Sequence, residues 1–191
     1  MNWETILCTG DSRTIGSRSY IGYPEYCGDF LSQETNKNWN VLNHAVSGYT
    51  TIDLARSIDK NYYNLKSAKP DIATLLIGTN DLKFNTTVSL FEISYNLLLT
   101  KIRLLVGNTN VILIEIPKLR NGVMLPYNIG MNALISEYNK IIRLLAKKNG
   151  LHCLELSCED SFFYDGVHVN ESGSEAIGKQ LSDFILKLRR G

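Results

Sequence analysis

The stretch Leu7-Cys8-Thr9-Gly10-Asp11-Ser12-Arg13-Thr14-Ile15-Gly16 decides how the rest of the chain is read. An apolar run over residues 5–8 stops at a Gly-Asp-Ser turn, and a segment able to start a helix follows. A strand-to-helix turn of this kind puts the Ser12 hydroxyl where a rigid sheet holds it and solvent reaches it. Backbone N–H groups at the start of the following helix would face the same spot and favour negative charge there. A nucleophilic serine and a phosphate-binding loop both meet these conditions. The remainder of the chain separates them.

Outward from this turn, short apolar runs alternate with segments of helical period. Residues 5–9 read as a buried strand, and Pro24 suits the first turn of a helix. Residues 39–45 form a second strand. Ile52, Ala55, Ile58 and Tyr62 recur at helical spacing over 51–67, with Thr50 or Thr51 as N-cap. Residues 71–77 are a continuous apolar strand, and 88–106 a helix. Residues 111–116 make a fourth strand, followed by a connection over 118–128 that is long for an α/β unit. A helix over 131–147, a strand over 151–156 and a helix over 172–188 complete the chain. Five apolar strands alternating with helices predict a three-layer α/β sandwich with a five-stranded parallel sheet. No repeat, linker or low-complexity tract marks a second domain, so residues 1–191 read as one.

The chain has 191 residues, 44% of them hydrophobic and 20% charged, which is ordinary globular usage and enough for a sizeable core. Its formal net charge of +1 argues against nucleic acid as the main partner. No apolar run approaches the roughly 20 residues of a membrane span, so stable membrane insertion is not expected. Met1-Asn2-Trp3-Glu4 leads directly toward the first strand, with neither a basic start nor a secretory apolar segment. Cys8, Cys27, Cys153 and Cys158 match no zinc spacing and read as reduced, so a cytoplasmic setting is expected, with no metal and no cofactor.

Open parallel sheets gather function at the carboxyl ends of their strands. Those ends read Gly10-Asp11-Ser12, Asn43-His44-Ala45-Val46-Ser47-Gly48, Gly78-Thr79-Asn80-Asp81 and, after the fifth strand, Asp165-Gly166-Val167-His168. Acyl transfer needs what these supply. His168 can take the proton of Ser12, and Asp165 can hold the far ring nitrogen in the donor tautomer. The N–H groups of Ser12 and Gly48 and the side-chain amide of Asn80 can receive an oxyanion. Asp11 reads as a brace of its turn, Asp81 as a helix-entry residue, and His44 and His152 as structural; a plain turn residue is the alternative for Asn80. Gly173-Ser174-Glu175-Ala176-Ile177-Gly178-Lys179-Gln180 approaches a Walker A pattern but lacks its Ser or Thr and lies in a helical period, so it is rejected. No Gly-x-Ser-x-Gly elbow occurs.

On these four blocks, taken in order, the chain resembles the SGNH hydrolase superfamily, the GDSL esterases. The resemblance runs from near the N-terminus to the final helix. It implies flavodoxin-like topology and metal-free hydrolysis of carboxylic esters. It also implies Ser12 as nucleophile, Gly48 and Asn80 as oxyanion donors, and Asp165 and His168 as acid and base. Ala45 stands where the second block often has glycine, and Arg13 replaces an apolar residue, so Arg13 is expected either to alter the acyl pocket or to reach solvent. The expected substrate is a small-molecule ester with a short acyl group, such as acetyl on a carbohydrate. Lysophospholipase or thioesterase activity, an O-acyltransferase and a non-catalytic binding module are the alternatives. Arg13, Tyr49, Arg120 and Tyr127 are expected to bind substrate, with Tyr20, Tyr23 and Met124 as further lining.

Overall fold

The computed structural model describes residues 3–107 and 110–190; Met1 and Asn2, read above as leading into the first strand, lie outside the described residues. Five parallel strands form one sheet in the order β2-β1-β3-β4-β5: β1 (Trp3–Gly10), β2 (Asn38–Ala45), β3 (Ile72–Leu76), β4 (Val111–Ile114) and β5 (His152–Leu154). The strand order reverses between β1 and β3, which opens a crevice at the carboxyl ends of those two strands.

Successive residues of a strand face opposite sides, and the core divides accordingly. Leu7, Ala73, Leu75, Val111 and Leu113 pack under α3 (Thr51–Ser67), α4 (Val88–Val106) and α5 (Asn132–Asn149). Ile6, Cys8, Ile72, Leu76, Ile112 and Ile114 pack under α2 (Tyr23–Thr35) and α6 (Glu171–Arg190). Helices on both faces make the three-layer, flavodoxin-like sandwich that the alternation predicts. Phe91 of α4 stacks on Tyr138 of α5 with ring centroids 3.9 Å apart, joining two helices of one face.

The long helices agree with their periodicity and caps. Thr50 and Asp53 form a reciprocal capping box at the start of α3, and the Thr87 hydroxyl accepts from the Leu90 N–H at the start of α4. Two elements differ from expectation. The helix after Ser12, α1 (Ser12–Ile15), is a single turn ended at Gly16, so a long helix dipole does not back the serine. Strand β5 is three residues long, pairing only with Ile112, Leu113 and Ile114 of the short strand β4. Among the described residues no helix is long and apolar enough to cross a membrane.

Candidate active site

Strand β1 is buried on both sides and ends at Gly10, which delivers Asp11 and Ser12 to the crevice. The Asp11 carboxylate accepts from the Arg13 N–H at 3.0 Å, caps the turn and leaves the serine side chain free to point outward. Asp11 is buried; that burial pushes its carboxyl above the ordinary value, and the Arg13 N–H and guanidinium oppose the shift. Ser12 itself retains 5% exposure.

The fourth sequence block lies between β5 and α6. Phe163 and Val169 pair as an antiparallel bridge, and the Tyr164 N–H donates to the His168 carbonyl at 2.8 Å, so residues 163–169 turn back on themselves. Gly166 sits at the bend with φ 74°, a left-handed conformation that glycine adopts without strain. Asp165 Oδ1 accepts from the backbone N–H groups of Val167 and His168 at 3.1 and 2.7 Å, and Oδ2 lies 2.8 Å from His168 Nδ1. Burial would raise the Asp165 carboxyl, but these hydrogen bonds outweigh it and hold the group below its ordinary value. A carboxylate facing Nδ1 makes that nitrogen the donor, so neutral His168 presents an unprotonated Nε2. Nε2 lies 3.0 Å from Ser12 Oγ, across 156 positions of sequence. A hydroxyl, an imidazole and a carboxylate in this chain of hydrogen bonds can pass the serine proton to the ring and stabilise the resulting imidazolium.

The loops after β2 and β3 flank the serine. The Val46 N–H donates to the Gly10 carbonyl at 3.1 Å, which ties the β2 loop to the end of β1. Gly48 has φ 85°, and a Cβ there would meet nothing within 4 Å; conformation, not crowding, selects glycine. Asn80 opens a short 3-10 turn (Asn80–Phe84) and is 1% exposed. Its Nδ2 donates to the Tyr49 carbonyl at 3.0 Å, so the amide lies beside the Gly48 loop. An amide nitrogen carries two hydrogens, and one remains for another acceptor. Neither the Ser12 nor the Gly48 N–H has a partner among the described residues.

The residues expected to bind substrate are distributed differently. Arg13 is 2% exposed, and its Nη1 donates to the Pro117 carbonyl at 2.6 Å, so it does not reach solvent. Burial pulls its guanidinium below the ordinary value, with the Asp11 charge opposing. Arg120 donates to the Cys158 carbonyl, pairs with Asp160 and lies over the Phe163 ring, 5.1 Å from its centroid. These contacts brace the segment that leads into Asp165. Tyr127 is 4% exposed, and its hydroxyl donates to Asn80 Oδ1 at 3.0 Å. Tyr49 is half-buried beside Asn80. Tyr23 belongs to the core, with its hydroxyl 3.3 Å from Thr14 Oγ1, whereas Tyr20 is fully exposed.

His44 bonds Ser57 and His152 lies edge-on to Phe184, as structural residues do. The segment resembling Walker A lies inside α6. One contribution of the third block escaped sequence reasoning. The Asp81 carboxylate accepts both the Thr51 N–H at 3.0 Å and the Thr51 hydroxyl at 2.6 Å, and so pins the start of α3 to the turn carrying Asn80. A buried carboxylate meeting a helix N-terminus is a tertiary event with no local spacing to announce it.

The family model described as the GDSL-like Lipase/Acylhydrolase family matches residues 8–176. Among curated proteins, the chain is 29% identical over 213 aligned positions to a multidomain esterase of Ruminococcus flavefaciens, covering 91% of this chain. It spans only 27% of the length of that relative. Among solved structures, the fold is similar to a lipase/acylhydrolase from Enterococcus faecalis (TM-score 0.78, 24% identity, 95% of each chain covered). It is also similar to the psychrotrophic esterase EstA from Pseudoalteromonas sp. (TM-score 0.74, 18% identity, 98% of this chain and 100% of that one). A third likeness is to Axe2, an acetylxylan esterase from Geobacillus stearothermophilus (TM-score 0.66, 20% identity, 96% and 93%). With the match reaching from β1 into α6, the chain belongs to the GDSL-like lipase/acylhydrolase family.

Proposed function

We propose that residues 1–191 act as one serine esterase domain that hydrolyses small carboxylic esters through an acyl-enzyme. The observation that carries the proposal is the relay Ser12 Oγ–His168 Nε2 at 3.0 Å and His168 Nδ1–Asp165 Oδ2 at 2.8 Å. In the first half-reaction His168 takes the Ser12 proton as Oγ bonds to the carbonyl carbon. The carbonyl oxygen becomes an oxyanion facing the N–H groups of Ser12 and Gly48 and the free N–H of Asn80. The intermediate collapses, the C–O bond to the alcohol breaks, and His168 returns the proton to the departing alkoxide. Water then repeats the sequence on the acyl-serine and releases the acid.

The preferred substrate is a short acyl ester on a polar carrier, such as acetyl on a carbohydrate, a reading supported by the acetylxylan esterase of similar fold. A longer, lipid-like acyl group is the second reading. It draws on an apolar groove of about 360 Å³ beside the Asn80 turn, lined by Ile52, Phe84, Leu90, Ile93 and Leu97. Hydrolysis of p-nitrophenyl acetate, butyrate and octanoate by wild type and Ser12→Ala tests both. Activity that collapses in the variant and is highest on acetate supports the proposal; highest activity on octanoate favours the second reading. Equal activity in the two proteins refutes the mechanism.

A further inference from the structure

We propose that Tyr127 is a positioning residue of the oxyanion site, which fixes the side-chain amide of Asn80 with its N–H toward the substrate. The inference rests on the oxyanion role of Asn80 given above. A primary amide can sit in two orientations that exchange oxygen and nitrogen, and only one offers a donor to a developing oxyanion. Two contacts select that orientation. The Tyr49 carbonyl can only accept, so Nδ2 must face it, at 3.0 Å. On the other side the Tyr127 hydroxyl donates to Oδ1, also at 3.0 Å.

Asn80 and Tyr127 are both almost fully buried, so no bulk water substitutes for either partner. Burial also pushes the Tyr127 phenol above its ordinary value, which keeps it a donor at every working pH. Donation into Oδ1 polarises the amide and strengthens its remaining N–H, as hydrogen bonds in series do.

The position of Tyr127 in the chain gives it a second consequence. It lies in the connection from β4 to α5, residues 118–128, whose backbone also rests on the acid–base loop. The Arg120 N–H donates to the Gly166 carbonyl at 2.9 Å and the Met124 N–H to the Asp165 carbonyl at 3.2 Å. Just before this connection, the Pro117 carbonyl accepts from Arg13, the residue after the serine. One segment thus touches the nucleophile turn, the acid–base loop and the oxyanion amide. The long connection is a brace for the site, and Tyr127 is its contact with the oxyanion donor.

The test is a double-mutant cycle between Tyr127→Phe and Asn80→Ala, read as kcat and KM on p-nitrophenyl acetate. Removing an oxyanion donor costs about 10²–10³ in kcat, and misorienting one costs less. Tyr127→Phe is expected to lower kcat by about 5- to 30-fold with KM within twofold, and to change kcat less than twofold once Asn80 is alanine. An equal loss in both backgrounds marks a merely structural role and overturns the proposal. So does wild-type kcat in Tyr127→Phe when Asn80→Ala alone is strongly impaired. Unimpaired Asn80→Ala instead sinks the oxyanion assignment itself, and this inference with it. If Tyr127→Phe does not fold, a ring-fluorinated tyrosine at 127 keeps the volume and the donor but ionises at lower pH. Its more acidic hydroxyl is a stronger donor to Asn80 Oδ1, so kcat should change more than twofold with Asn80 present and less than twofold once Asn80 is alanine; an equal change in both backgrounds overturns the proposal.

Discussion

Replacing Gly166 with alanine strikes the point where the loop carrying Asp165 and His168 meets the connection 118–128. At φ 74° an L-residue costs about 1–2 kcal/mol in backbone strain alone. The added Cβ would lie 2.8 Å from the Arg120 carbonyl oxygen, 2.8 Å from Val123 Cα and 2.9 Å from Val123 N. All three are main-chain atoms, so no flexible side-chain tip can yield. Overpacking of this kind costs about 1–3 kcal/mol, giving about 2–5 kcal/mol in all. Domains of this size are stable by about 5–15 kcal/mol, so most of that range leaves the variant folded. Whichever segment moves, His168 lies only two residues beyond the bend, and a displacement of about 1 Å costs about 10²-fold in rate. Urea unfolding should show the stability loss, and kcat on p-nitrophenyl acetate should fall about 100-fold in the folded fraction. A Gly166→Ala protein with wild-type midpoint and wild-type kcat would refute the view that the two loops are in tight register.

Thr51→Val removes the 2.6 Å hydroxyl bond to the Asp81 carboxylate while leaving the backbone N–H in place. A lost bond to a buried charged acceptor costs about 1.5–3 kcal/mol, so the urea midpoint should drop accordingly; a change under about 0.5 kcal/mol would contradict the anchoring role. The Asp165 carboxyl is lowered from an ordinary value of 3.8, so its contribution to stability is complete above that value and is lost as pH falls through the folded value. Asp11 and Asp81, both raised by burial, act in the opposite direction. The difference between wild type and Asp165→Asn isolates the Asp165 part: wild type should lose stability more steeply below about pH 4, and parallel acid limbs would be the contrary result.

Much of the fold follows from local features. The helix 88–106 matches its expected range because Phe91, Leu98, Ile102 and Leu105 keep one face apolar, and the structure adds the Thr87 cap at its start. The helix 51–67 is likewise legible from Thr50. Element ends set by tertiary pairing are harder. The residues over 151–156 carry enough apolar side chains for a longer strand, but only three positions find partners on β4. The single turn after Ser12 is equally opaque, because a helical start does not reveal where the chain must leave. The blocks bearing Ser12, Gly48 and Asn80 follow strand ends that the sheet topology brings to one edge. Asp165 and His168, in contrast, lie beyond β5 and are placed by the turn over 163–169 and its contacts with the connection 118–128.

Arg13 and Tyr127 show where sequence reading stops. Arg13 draws attention as a departure from the family pattern, and Tyr127 through its place in a long loop. Their actual partners, the Pro117 carbonyl and Asn80 Oδ1, depend on the path of the connection 118–128, which has no periodic signal. Arg120 is a third case, since its contacts with Cys158, Asp160 and Phe163 arise only when that connection packs against the β5–α6 segment.

In the proposed reaction Ser12 is the group that becomes acylated. Treatment of wild type and Ser12→Ala with a serine-directed phosphonate, followed by intact-mass and peptide analysis, tests this directly. The expected result is one adduct per wild-type chain, located on Ser12 and accompanied by loss of ester hydrolysis, with no adduct on the variant. An adduct on another residue, or undiminished hydrolysis by Ser12→Ala, would contradict it.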